Sequence, residues 1–159
     1  MLSRIMGVGR ETAEVVFVRT RRRHGDPLLE SGVMSAEYDV TAPPSAEEWL
    51  AMDEAERIHA VEEAHRRTRS PAGQNPTVHA TIHVIVENQL AEGYHPAVAA
   101  YARFRAAGID RHVTVHALAS VVTQQMMAVA EQQETYDEAA AKRDFDALDP
   151  AAFKPKKKP

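Results

Sequence analysis

The sequence predicts an all-α protein: a compact bundle of four to five helices, with an irregular N-terminal segment before it and a disordered, lysine-rich tail after it. Three observations carry that expectation. From Ser45 onward apolar residues recur at three- and four-residue intervals, capping residues stand directly before those runs, and glycine or proline closes most of them. The 159 residues are 44% hydrophobic and 26% charged with a net charge of -4, which suits one domain with enough apolar material for a core.

Residues 1–44 read as the irregular segment. Val15-Val16-Phe17-Val18 could form one short strand, but everything from Ser45 onward reads as helix, so that strand has no partner to satisfy its backbone. Organised helix signals begin only beyond Met34, which is therefore a candidate natural start. Residues 36–44 end in Ala42-Pro43-Pro44 and are expected to be an extended lead-in, since no helix can begin before the second proline. Ser45-x-x-Glu48 has capping-box spacing and opens a short helix anchored by Trp49, Leu50 and Met52. Asp53-x-x-Glu56 repeats the signal. Ile58 and Val61, with Ala55, Ala60 and Ala64, predict a helix from about Asp53 to Arg67 that Ser70-Pro71-Ala72-Gly73 breaks.

Asn75-Pro76 is the strongest start signal, because asparagine accepts from the orphan amides and proline at the first helical position lacks an amide. Gly93 ends that helix. His95-Pro96 opens a shorter one through Val98, Tyr101 and Phe104, closed by Gly108. Asp110 caps the last long helix, whose Val115, Ala119, Val122 and Met126 share a face with His112 and His116, and which is expected to run through a polar Glu-Gln stretch toward Arg143. The helical domain then spans 45–143, and 144–159 is a flexible tail.

Composition excludes several classes. The absence of cysteine removes thiolate sites and disulfides. Basic residues cluster at Arg19–Arg23 and Lys154–Lys158, yet the chain is mildly acidic and few aromatics interleave with them, so no nucleic-acid partner is expected and both runs read as solvated ends. No apolar stretch approaches membrane-spanning length and residues 1–20 lack the pattern of a secretory signal, so the expected location is the cytoplasm with no membrane partner.

The chemistry lies in the histidines. His79-x-x-x-His83 is followed four residues later by Glu87, and His112-x-x-x-His116 repeats the pair. Residues i and i+4 share a helix face about one turn apart, so each pair can chelate an ion. On a helical wheel His79, His83 and Glu87 border or enter the apolar stripe of Ile82, Val86 and Leu90. Partly buried imidazoles with no shared ligand would each need another partner, at roughly 1–3 kcal/mol for every one left unsatisfied. His79 and Glu87 lie roughly 12 Å apart along the axis, so one ion cannot easily take all three. Either the histidines hold a mononuclear ion with Glu87 behind them, or adjacent pairs serve two ions bridged by a carboxylate. His65, three residues after Glu62, adds a Glu-x-x-His pattern and makes both residues candidate ligands, although such pairs are also common on solvated faces. His59 and His95 are expected to be exposed.

The stretch from Asn75 through His79, His83 and Glu87 to Gln89, with Gly108–Val121 and the residues from Trp49 through Asp53–Ile58 to His65-Arg66, resembles an uncharacterised bacterial family of histidine-rich helical proteins known as a domain of unknown function. The likeness covers roughly residues 45–127. It implies a small helical protein whose shared site comprises His65, His79, His83, Glu87, His112 and His116, and it implies no reaction. That family's pattern often places an acidic residue after the first histidine of the second pair, where this chain has Val113; the His-Glu-x-x-His signature of zinc peptidases is therefore absent.

Neutral imidazole suits iron, zinc, copper or nickel, and a nearby carboxylate favours iron, manganese or zinc. The leading expectation is a non-haem metalloenzyme of the iron type, with one or two ions per chain, acting on dioxygen or a small anionic molecule. Two alternatives are a zinc hydrolase with Glu87 as catalytic base, and a non-catalytic protein whose ion ties helices together or is stored or sensed. An all-imidazole shell leaves a divalent ion's charge uncompensated and so favours an anion, which Arg111 could help bind, although a solvated arginine is the commoner case at such a position. Of the amides near the site, Gln89 lies on the better side of the wheel and Asn88 on the opposite one. Met126 and Met127 could serve a homodimer face, although gap-filling in the monomer core is the commoner use of methionine.

Overall fold

All but the fourth of the described α-helices in the computed structural model start where a side chain takes over an orphan amide. The structure describes residues 37–70, 73–132 and 136–154. Ser45 accepts from the Glu48 amide and opens α1 (Ala46–Ala51). Asp53 and Glu56 form a reciprocal capping box, with bonds of 2.7 and 2.9 Å, at the head of α2 (Glu54–Thr68). Asn75 accepts from the Val78 amide ahead of α3 (Pro76–Ala91), whose first residue is the expected proline. After Gly93, which adopts φ +74°, the chain enters α4 (His95–Ala106). Gly108, at φ +78°, leads to Asp110, whose carboxylate accepts from the His112 amide at the start of α5 (Arg111–Gln132). No strand occurs among the described residues. The all-α bundle expected from the sequence is the fold.

The C-terminal part differs from expectation. The last long helix does not continue unbroken to Arg143: α5 is described over Arg111–Gln132, and Asp137, in extended backbone, caps a separate helix, α6 (Glu138–Ala147), followed by a 3-10 turn at Pro150–Phe153. Residues 144–153 are thus not the start of a flexible tail. Phe145 is 1% exposed, Phe153 packs edge-on against Phe104, and the Arg103 guanidinium donates to the carbonyls of Phe145 and Leu148. Burying these apolar groups against α4 and α5 requires the chain to turn back, which one continuous helix could not do. Residues 37–44 form no helix or strand, but the expected extended lead-in is interrupted by a turn in which the Ala42 amide donates to the Asp39 carbonyl, and Tyr38 and Val40 are each 4% exposed and belong to the core with Trp49, Val61 and Val84. The proposed strand at Val15–Val18, the candidate start at Met34, the Arg19–Arg23 run and all but the first residue of Lys154–Lys158 lie outside the described residues.

Two helices organise the site. α3 packs on α1, α2, α4 and α5, while α5 packs on α3, α4 and α6. With neighbours on several sides α5 is apolar around much of its circumference, and its Arg111–Glu131 stretch reaches a mean hydropathy of 1.3. Contrary to the sequence reading, this helix is long and apolar enough to cross a membrane by length and composition alone, the only such helix among the described residues. Val115, Ala117, Leu118 and Val121 are almost fully buried within the bundle, as is the polar Thr114.

Candidate metal centre

Three helices converge their histidines on one point. His65 comes from the last turn of α2, His79 and His83 from α3, and His112 and His116 from α5. The i, i+4 spacing turns each pair toward the same side of its helix, and direct packing of α3 on α5 brings the two pairs together. Ring centroids are 4.6 Å apart for His79 and His83, 4.8 Å for His83 and His116, 4.7 Å for His65 and His83, and 4.4 Å for His112 and His116. One ligand nitrogen from each of His65, His79, His83 and His116 lies within 4.8 Å of all the others. His112 is not one of those four, but its Nε2 stands 3.0 Å from His65 Nε2, as does that of His79.

Hydrogen bonding fixes the roles of the two His65 nitrogens. His65 Nδ1 lies 2.9 Å from the Val61 carbonyl oxygen, which can only accept, so Nδ1 carries the proton and Nε2 of the neutral ring carries the lone pair. A single lone pair thus faces two neighbouring Nε2 atoms. Metal–nitrogen bonds of about 2.0–2.1 Å place right-angled ligands roughly 3 Å apart, so nitrogens at this spacing suit a shared ion. Both nitrogens of His83, which is 1% exposed, and Nε2 of His116 are buried with no hydrogen-bond partner. An ion would satisfy groups whose burial is otherwise unfavourable.

Burial, followed by neighbouring imidazoles, holds His79 and His116 down to about 4 and His83 to about 2, and lowers His112 as well. Neutral rings are the ligand form. The same shifts predict a pH dependence for the metal-free fold. In the unfolded chain these side chains titrate near 6.5. Below that pH the unfolded state binds more protons than the folded one, so stability falls as the pH drops from about 6.5 toward 4, and the contribution is complete above 6.5. Urea unfolding of chelator-treated protein should give a lower midpoint at pH 5 than at pH 7.5; equal midpoints would contradict the buried neutral cluster.

Both carboxylates proposed as ligands are engaged elsewhere. Glu87 is 1% exposed and takes two bonds from Arg111 Nη2, at 2.7 and 2.8 Å, and one from the Tyr38 hydroxyl at 2.5 Å. It is not part of the four-residue group. Glu62 Oε1 accepts from the Thr77 hydroxyl at 2.6 Å and is likewise outside that group, as its i, i+3 spacing from His65 allowed. Arg111 is neither solvated nor turned toward an incoming anion: it is 1% exposed and paired with Glu87. Asn88 binds Trp49 and Arg57, whereas Gln89 lines a separate apolar cleft of about 400 Å³ with Ile85, Val121 and Phe145. His59 and His95 are exposed, as expected. Tyr38 has no counterpart among the residues expected from the sequence; it lies in an unpatterned segment, five residues ahead of Pro43-Pro44.

The cluster borders two clefts. One, of about 600 Å³, includes His65, His79, Glu62, Arg66 and Arg69; the other, of about 460 Å³, includes His79, His83, His116, Ser120 and Thr123. Together, fold and site define an all-α bundle with a histidine cluster that could hold a metal ion. No family model, curated protein or solved structure matches this chain.

Proposed function

We propose that this protein is a mononuclear non-haem metalloprotein whose divalent iron or zinc ion is held by His65, His79, His83 and His116 and keeps a position open to dioxygen or a small anion. The observation that carries this reading is the convergence of four ligand nitrogens within 4.8 Å beside two clefts. Neither Glu87, bound by Arg111 and Tyr38, nor His65, which uses Nδ1 on a backbone carbonyl, offers a protein bridge to a second ion, which favours the mononuclear reading. The engagement of both Glu87 oxygens also weighs against a hydrolase in which that residue is the base.

Four neutral donors leave the ion's charge uncompensated, which favours an anionic or electron-rich fifth ligand. A second reading, a structural ion, draws on the fact that the ligands come from three helices, which one ion would tie together. Cobalt(II) substitution separates the two. Adding azide to the one-cobalt protein should shift its visible bands if a position is open; bands unmoved by saturating azide would leave only the structural role.

A further inference from the structure

The helices that supply the histidines also grip one strap, residues 37–44. On α2, Arg67, two residues beyond His65, donates to the Tyr38 carbonyl at 3.1 Å. On α3, Glu87, one turn beyond His83, accepts from the Tyr38 hydroxyl. On α5, Arg111, immediately before His112, donates to the Val40 carbonyl at 3.2 Å while binding both oxygens of Glu87. Tyr38, Glu87 and Arg111 are all nearly inaccessible to solvent.

A buried ion pair is a poor source of net stability, because desolvation opposes the attraction; its best-attested use is to fix register. Here the planar guanidinium on both carboxylate oxygens sets how α3 and α5 are rotated and advanced relative to each other, next to both histidine pairs. The tyrosine hydroxyl ties that register to the strap. We propose that Tyr38, Glu87 and Arg111 are positioning residues of the metal site, and that seating of the strap and occupancy of the site by metal are thermodynamically coupled.

This inference rests on the metal-binding reading above. Coupling of this kind is reciprocal: if metal favours the seated strap, loosening the strap weakens metal binding by the same factor, about 5- to 150-fold in typical cases. The test uses the full chain with zinc as the probe and Tyr38→Phe as the variant, which removes one hydroxyl and keeps the packed ring. Zinc stoichiometry is measured first, then zinc affinity by chelator competition, then amide exchange of the peptide covering residues 37–44 with and without zinc.

Wild-type protein should bind one zinc and show slower exchange in that peptide when loaded. Tyr38→Phe should still bind one zinc, at least about 5-fold more weakly, with altered visible bands in its cobalt(II) form. His83→Gln should lose zinc's effect on the strap. One bound zinc with unchanged strap exchange and equal affinity in Tyr38→Phe would overturn the positioning role and leave the metal reading standing. No bound zinc in the wild type would overturn both.

Discussion

Alanine at His83 or His116 is expected to abolish stoichiometric metal uptake, whereas alanine at His95 should leave one ion per chain. His83 lies at the centre of the cluster: its ring is within 5.5 Å, centroid to centroid, of His65, His79, His112 and His116, and neither of its nitrogens has another partner. Its loss would remove one of the four candidate ligands and open a cavity between α3 and α5. His116 is the α5 member of the four-residue group, and without it that helix offers only His112. His95 begins α4, is exposed and lies outside the group. Elemental analysis of tag-free proteins purified in parallel checks this, and equal metal content in all three variants would defeat the site.

Arg111→Ala should lower the folding stability of the metal-free protein by about 3–5 kcal/mol, the usual cost of leaving a buried charge without its partner. Its side chain and that of Glu87 are each 2% exposed, so solvent cannot replace the lost bonds. Arg111 also supports the Val40 carbonyl, and the buried Tyr38 hydroxyl donates to the same carboxylate, its ionisation pushed upward first by burial and then by Glu87. The double variant Arg111→Met with Glu87→Gln removes both charges while keeping most of the volume, and should be more stable than Arg111→Ala alone. Urea denaturation at pH 7.5 gives both numbers. A loss below about 1 kcal/mol in Arg111→Ala would mean that water reaches the pair.

The fold was legible where local chemistry and long-range packing agree. Asp53 with Glu56, Asn75 before Pro76, and Gly93 and Gly108 after apolar runs mark helix ends by bonds made within a few residues. The break between α5 and α6 was hidden because a Glu-Gln run favours helix, and only the packing of Phe145 against more distant elements requires the turn. Site residues divide in the same way. Helical spacing placed His79 with His83 and His112 with His116, and His65 joined them from a pattern that was weak in isolation. Spacing also put Glu87 beside the apolar stripe, where it is buried, but a wheel gives a direction and not the identity of the neighbour. The neighbours are Arg111, which a surface prior made solvent-facing, and Tyr38, 49 residues away along the chain. Both partners depend on tertiary contacts with no local sequence signature.

X-ray absorption at the metal edge of tag-free protein, with metal counted per chain, decides whether the histidines share a single ion. One ion per chain is expected, with a shell of light donors and the multiple-scattering pattern of several imidazoles. A metal–metal vector, a shell dominated by carboxylate oxygen, or protein that takes up no iron or zinc would contradict that expectation.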